Sequence, residues 1–199
     1  MLLMDIADVS QGLALAGRGA GARAGDWILK IAEGGDIAGE GWLEIEDLKE
    51  VGVVQSLRTE RHLLRPFDVL VTARTGRTQV ALVPPHVSRT VAGVTLLVVR
   101  PKQPESGMGH WLYYFLASAY GQAQIAKRMA VNATSLSLSA KSLGEIEIPV
   151  PPARMLGLMA RLIESSETAY DAELRVARLR RETLRDAIVQ DALQAVENS

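Results

Sequence analysis

From Ala153 to Val196 the chain contains no proline, and only Gly157 interrupts a run of good helix formers. Every strand and turn signal lies upstream, in a region closed by the PVPP of residues 149–152. Leu156, Met159, Ile163 and Ser166 lead into a stripe through Tyr170, Leu174, Ala177, Leu184 and Ile188. That stripe keeps helical spacing and breaks once, at Arg181. At 1.5 Å per residue, a helix of about 40 residues is ~60 Å long, more than a domain of ~150 residues can cover. The sequence therefore predicts two parts, residues 1–152 and residues 153–199, the second seeking a partner helix.

The upstream part can build a core, because 48% of the 199 residues are hydrophobic, which excludes wholesale disorder. There are no cysteines, so a disulfide scaffold, a thiolate zinc site, an iron–sulfur cluster and a cysteine nucleophile are all excluded. Three Trp, four Tyr and two Phe are too few for a platform that stacks single-stranded bases. No apolar run approaches the ~18 residues of a membrane span. MLLMDIADVSQG carries an aspartate at position five and no basic start, unlike a secretory signal. The expectation is a cytoplasmic protein with no membrane partner.

A formal net charge of −1 hides an asymmetry. Residues 1–50 hold four basic and ten acidic side chains, whereas residues 51–150 hold eleven basic and five acidic. Between Asp68 and Glu145 only Glu105 opposes eight Lys or Arg. Such a segment either presents a positive face to phosphates or is interleaved with the acidic third on folding.

Residues 1–12 suggest a short entry strand or turn, and the Gly/Ala-rich tract that follows, with Arg18 and Arg23, a loop. Gly17, Gly19 and Gly21 alternate there, but neither GK[ST] nor GxGxxG is present, so no nucleotide cradle is expected. WILKI (27–31) and GWLEI (41–45) predict strands. DVLVTA (68–73) and QVALV (79–83) predict a strand pair around an RTGR turn, and VAGVTLLVVRP (91–101) a further strand buried on both faces. HWLYYFLASAYGQAQIAKRMA (110–130) switches to helical spacing, with Trp111, Tyr114, Phe115, Leu116 and Ala119 on one side. NATSLSLSAKSL (132–143) reads as a polar loop and EIEIPVPP (145–152) as a final alternating strand. The predicted fold class is mixed α/β (α+β): a β-rich domain followed by one long C-terminal α-helix.

Catalytic equipment is hard to find. His62, His86 and His110 fall in no HxxxH or HExxH arrangement, no GxSxG elbow exists, and the [ND]PP[YF] tetrapeptide of adenine methyltransferases is missing. No metal and no cofactor are expected, and an enzyme would need a site of unrecognised type. The RTGR region offers different chemistry. Arg74, Arg77 and Gln79, with Thr75 and Thr78 between them, present the side chains that pair bidentately with guanine and adenine edges in the major groove. Asn132, Thr134 and Ser135 supply short hydrogen-bonding tips on a second loop. Arg58, Arg61, Lys127 and Arg128 suit phosphate contacts, which position without specifying.

The order of segments is also familiar: DIADVSQG, then DVLVTARTGRTQVAL, TLLVVRP, HWLYYFLASAYGQAQI, SLS, an L-x-x-I-x-I-P-V-P-P strand and a long helix. It resembles one target-recognition half of a type I restriction–modification specificity subunit, over essentially the whole chain. The most telling parts are Y-x-x-L-x-S-x-x-G-Q-x-x-I and the SLSAKSLGEIEIPVPP that feeds directly into a helix. Two departures stand out. Family members carry two recognition domains and two such helices where this sequence has one of each, and ARMLGLMARLIE stands where Glu-Gln commonly follows Pro-Pro.

The resemblance implies a non-catalytic subunit that binds double-stranded DNA and positions methyltransferase subunits, and in some systems a translocating nuclease, in phage defence. It makes residues 1–152 a DNA target-recognition domain and residues 153–199 a dimerisation and spacer helix. One domain and one helix can rebuild the two-domain arrangement as a homodimer with antiparallel helices, joined by Ile163, Tyr170, Leu174, Ala177, Leu184 and Ile188. Glu164, Glu167, Asp171 and Glu173 precede Arg175, Arg178, Arg181 and Arg185, a sign reversal that favours antiparallel pairing. A dimeric DNA-binding adaptor outside restriction–modification, and a hydrolase with an unrecognised site, are the competing readings.

Overall fold

A computed structural model describes residues 1–14, 27–37, 41–73, 78–132 and 135–197. It divides into two compact units, Met1–Arg161 and Leu162–Ser199.

The first unit opens with a short helix, α1 (Leu3–Ile6), and strand β1 (Ala7–Gln11). Strands β2 (Trp27–Ala32) and β3 (Lys49–Val53) precede helix α2 (Leu57–Arg61). The predicted pair around RTGR is present as β4 (Val69–Thr72) and β5 (Val80–Leu82), antiparallel with Val69 opposite Leu82. Strands β6 (Thr90–Ala92) and β7 (Leu96–Pro101) follow. One sheet runs β1-β7-β4-β5, entirely antiparallel, and a second runs β3-β2-β6, with β2 and β6 parallel.

The apolar run 91–101 is thus two strands in two sheets, not the single strand expected. The break lies at Gly93, where a Cβ would stand 2.4 Å from the Glu33 carboxylate. Thr95 donates its hydroxyl hydrogen bond to that carboxylate, and Gly34 N donates to Thr95 Oγ1 at 2.8 Å. β-branched composition reports strand preference but is blind to a turn enforced by a neighbouring loop. GWLEI (41–45) is likewise not a strand. Trp42 makes an isolated bridge to Leu82, while Leu43 and Ile45 enter the core.

The central strands are buried on both faces, as their unbroken apolar composition predicts. Leu70, Ala81, Leu96 and Val98 face a core shared with Ala32, Ile37, Leu43, Leu48, Leu64 and Ala92. Helix α3 (Met108–Ala117) packs on β4, β5 and β7. The expected stripe on this helix is met only in part: Phe115 and Leu116 are buried, together with Leu112 and Tyr113, whereas Trp111 is half-buried and Tyr114 and Ala119 are exposed. Phe67 packs against this helix, its ring centroid 4.7 Å from that of His110.

Segment 110–130 is two helices, α3 and α4 (Ala119–Arg128), separated by Ser118 in an extended conformation. Ser118 Oγ donates to Phe115 O at 2.6 Å and accepts from Gly121 N at 3.1 Å, ending one helix and capping the next. Gln122 Nε2 donates to Leu116 O at 2.8 Å. A Cβ on Gly121 would lie 2.0 Å from Phe115 O. Tyr113, Leu116 and Ile125 are buried around the corner, so each named position of Y-x-x-L-x-S-x-x-G-Q-x-x-I has a structural task. Gly121→Ala is expected to cost about 1–3 kcal/mol as overpacking; a thermal melt that matches the parent would contradict this.

The polar segment 132–143, expected as loop, contributes to a small hairpin, β8 (Ala130–Asn132) with β9 (Ser135–Ser137), and to helix α5 (Ala140–Gly144). EIEIPVPP alternates as expected, with Ile146 and Ile148 buried, yet among the described residues it forms no strand and meets Leu2 through an isolated bridge at Glu147. Helix α6 (Ala153–Glu197) is continuous over 45 residues, as the absence of proline predicts.

Candidate nucleic-acid interface

Strand β4 has two chemically distinct ends. At its C-terminal end, Gln79 N donates to Thr72 Oγ1 at 2.8 Å and Thr72 N donates to Gln79 O at 3.0 Å, tying off the turn between β4 and β5. Leu138 N donates to Ala73 O at 2.9 Å, which brings the β8–β9 hairpin to the same place. Thr78 is buried, its hydroxyl 4.0 Å from Met129 Sδ, so the C-terminus of α4 joins this end too. Thr78 and Gln79 are therefore gathered with Lys127, Arg128 and the hairpin carrying Asn132 and Ser135 from two separate segments of the chain. Asn132 stands opposite Ser135 in the hairpin register. Arg74, Thr75, Arg77 and Thr134 lie outside the described residues.

Within this group the side chains are not equivalent. Lys127 is exposed, whereas Arg128 donates to Glu145 Oε2 at 2.8 Å with both partners half-buried. That pair spends part of the Arg128 charge inside the protein.

Arg58 and Arg61 belong to the opposite end. Helix α2 begins at Ser56, whose hydroxyl accepts from Thr59 N at 3.2 Å, and both arginines on it are exposed. The chain then descends to Asp68, which is only 1% exposed. Arg100, at the end of β7, donates to both Asp68 oxygens, with Nη2 to Oδ2 at 2.6 Å and Nε to Oδ1 at 3.0 Å. Its Nη2 also donates to Leu63 O at 2.7 Å. Burial pushes the Asp68 carboxyl above the ordinary carboxylate range, against the opposing pull of Arg100 and of the Arg65 amide. His62 was passed over in the sequence because it belongs to no motif. The signal available was its place in RTERHLLR, four residues from Arg58.

Among the described residues, no group of three or more His, Asp or Glu is placed to hold a metal ion, and no helix is long and apolar enough to cross a membrane.

A β-rich unit built this way, leading into a long helix, is the fold of type I restriction–modification specificity subunits. The chain is similar to the HsdS subunit from Thermoanaerobacter tengcongensis, with a TM-score of 0.54 and 18% identity over 88% of this chain and 38% of that one. It is similar to the type I restriction–modification S subunit from M. genitalium, with a TM-score of 0.53 and 18% identity over 92% of this chain and 43% of that one. A chain solved in a study of assembly and conformational transition of the type I R-M system gives a TM-score of 0.57 and 19% identity, over 88% of this chain and 39% of that one. The present chain thus spans about two fifths of the length of the structures it matches. No family model and no curated protein matches the sequence.

Proposed function

We propose that this chain is a non-catalytic DNA-recognition subunit of a type I restriction–modification system. Its likeness in fold to S subunits, over about nine tenths of its residues, carries the reading. In this role residues 1–152 bind duplex DNA in the cytoplasm and the chain positions methyltransferase subunits, and through them a translocating nuclease. The convergence of Thr78, Gln79, Lys127 and the β8–β9 hairpin beside the β4–β5 turn supports that end as the base-reading surface, with Arg74, Thr75, Arg77, Asn132, Thr134 and Ser135 as its remaining members. Two copies joined through antiparallel C-terminal helices read two identical half-sites in inverted orientation.

The test is to look for a methyltransferase gene beside this one and to measure duplex binding in complex with its product, read together with the methylated sequence in the host genome. Arg74→Ala, Arg77→Ala and Gln79→Ala are each expected to cost about 1–3 kcal/mol of discrimination against a mismatched duplex where the side chain reads a base edge. Lys127→Ala is expected to weaken all duplexes alike and to shallow the salt dependence by about one charge. If all three turn variants discriminate as the parent does, the base-reading surface lies elsewhere.

A further inference from the structure

The cationic corner around α2 is not part of the hairpin end. The two are separated by the length of β4, about 13 Å for four residues. Arg58 and Arg61 lie one turn apart or less from His62, which closes α2 as its C-cap. Leu63 bridges Val91 in antiparallel fashion, and Leu64 N donates to Thr90 O at 2.8 Å. Arg65 follows Leu64 and Arg89 precedes Thr90, so the two arginines flank this bond, Arg89 in a left-handed bend with φ 45°. From β7, Arg100 reaches Leu63 O.

Two acids accompany these groups, and both are engaged. Asp68 is held by Arg100, and Glu60 accepts from Gln55 Nε2 at 3.1 Å. Neither Arg58 nor Arg61 forms an ion pair among the described residues. Arg58, Arg61, Arg65 and Arg89 outnumber the one carboxylate here not held by a cation, Glu60, and the excess of like charge raises the local potential. His62 registers it: burial first, then the charges of Arg58 and Arg100, hold the imidazole below its ordinary range.

We propose that this corner, formed by Arg58, Arg61, His62, Arg65 and Arg89, is a second phosphate-binding patch for duplex DNA; the proposal rests on the DNA-recognition reading above. The cations are spread around α2 and the adjoining strand end, a layout that suits an extended polyanion better than a single bound phosphate. Their distance from the hairpin end is of the order of the major-groove width, ~12 Å. A hairpin reading bases in the groove and a corner on the flanking backbone therefore fit one duplex.

A consequence follows for pH. A phosphate seated among these arginines offsets the charges of Arg58 and Arg100 at His62, the part of the depression that does not come from burial, so DNA binding draws a proton onto the imidazole. In the free protein the depressed His62 contributes stability above its unfolded value of about 6.5, and this is lost as pH falls through that value. In the complex the sign is opposite, and affinity rises as pH falls.

Anisotropy of a fluorescent mixed-sequence duplex, measured across salt and between about pH 7.5 and pH 6, tests both statements. The parent is expected to bind severalfold tighter at the lower pH, within the ceiling of about tenfold per pH unit for one linked proton. The double variant Arg58→Ala/Arg61→Ala is expected to weaken binding and to shallow the logarithmic salt slope by about two. His62→Gln should lose the pH dependence, its affinity for the duplex changing little between the two pH values. His62→Lys should bind tightly at both, and thermal melts of each variant separate these effects from unfolding. If the parent binds duplex and the double arginine variant matches it in affinity and slope, the corner serves a protein contact instead and the proposal is overturned while the DNA reading stands. Persistence of the pH dependence in His62→Gln overturns the proton linkage. A parent that binds no duplex at any salt removes the DNA reading and this patch together.

Discussion

Replacing Arg100 with leucine will cost about 3–5 kcal/mol of folding stability, because it leaves a buried carboxylate without its counter-charge. Asp68 is 1% exposed, and its bidentate pairing with Arg100 is joined by a bond from the same guanidinium to Leu63 O. The leucine variant will also show a steeper pH dependence than the parent, of definite sign. With the guanidinium gone, burial raises the Asp68 carboxyl further, so the native state binds a proton that the unfolded chain has already released. Stability of the variant should then fall as pH rises from about 5 to about 8. Urea titrations at both pH values check this. A variant as stable as the parent, or one that gains stability as pH rises, would show that the pair does not hold β4, β7 and the α2 connection together.

Leu184→Asp will convert a dimer into a monomer of 21.5 kDa, as read by sedimentation at micromolar concentration. In the single chain Leu184 and Ile188 are 62% and 60% exposed, and Tyr170, Leu174, Leu179 and Leu193 are exposed along the same helix. Soluble monomers rarely leave so many large apolar side chains uncovered. Ile163 differs from the other proposed seam residues, being only 5% exposed already, so the proposed pairing would depend on the later turns. Burying an aspartate at the seam removes the leucine's ~1.5–3 kcal/mol of transfer energy from each copy and adds an unpaired charge. A parent that sediments as a monomer, unaffected by the substitution, would refute the homodimer.

The sequence carried the fold where local pattern and long-range environment agree. The strand pair flanking RTGR and the uninterrupted α6 are decided by composition alone, since central strands need apolar residues at every position and a long helix needs only the absence of proline and turns. The failures share one cause. Gly93, Ser118 and the GWLEI segment depend on what lies against them: the Glu33 side chain, the Phe115 carbonyl and the edge of β5. The first and last of those partners are distant in sequence, and the Phe115 carbonyl, three residues away, is engaged by a side-chain bond that an apolar period does not report. The candidate interface was legible as residue types but not as an arrangement. Thr78, Gln79 and Lys127 were chosen one by one, and only the fold brings β5 and α4 together. Arg58 and Arg61 were grouped with them by chemistry, yet β4 separates the two sets.

The turn between α3 and α4 bears on how distant kin of this chain can be found. At 18% and 19% identity, whole-length comparison retains little information beyond overall shape. The Phe115 carbonyl, however, receives the Ser118 hydroxyl and leaves no room for a side chain at Gly121, while the Gln122 amide holds the carbonyl of Leu116. These demands come from backbone atoms, which do not change when the surrounding side chains drift. A search pattern of serine, two free positions, glycine and glutamine, anchored by buried residues five positions before the serine and seven after it, describes the corner itself rather than ancestry. It should pick out this architecture in genomes where alignment scores have decayed to background.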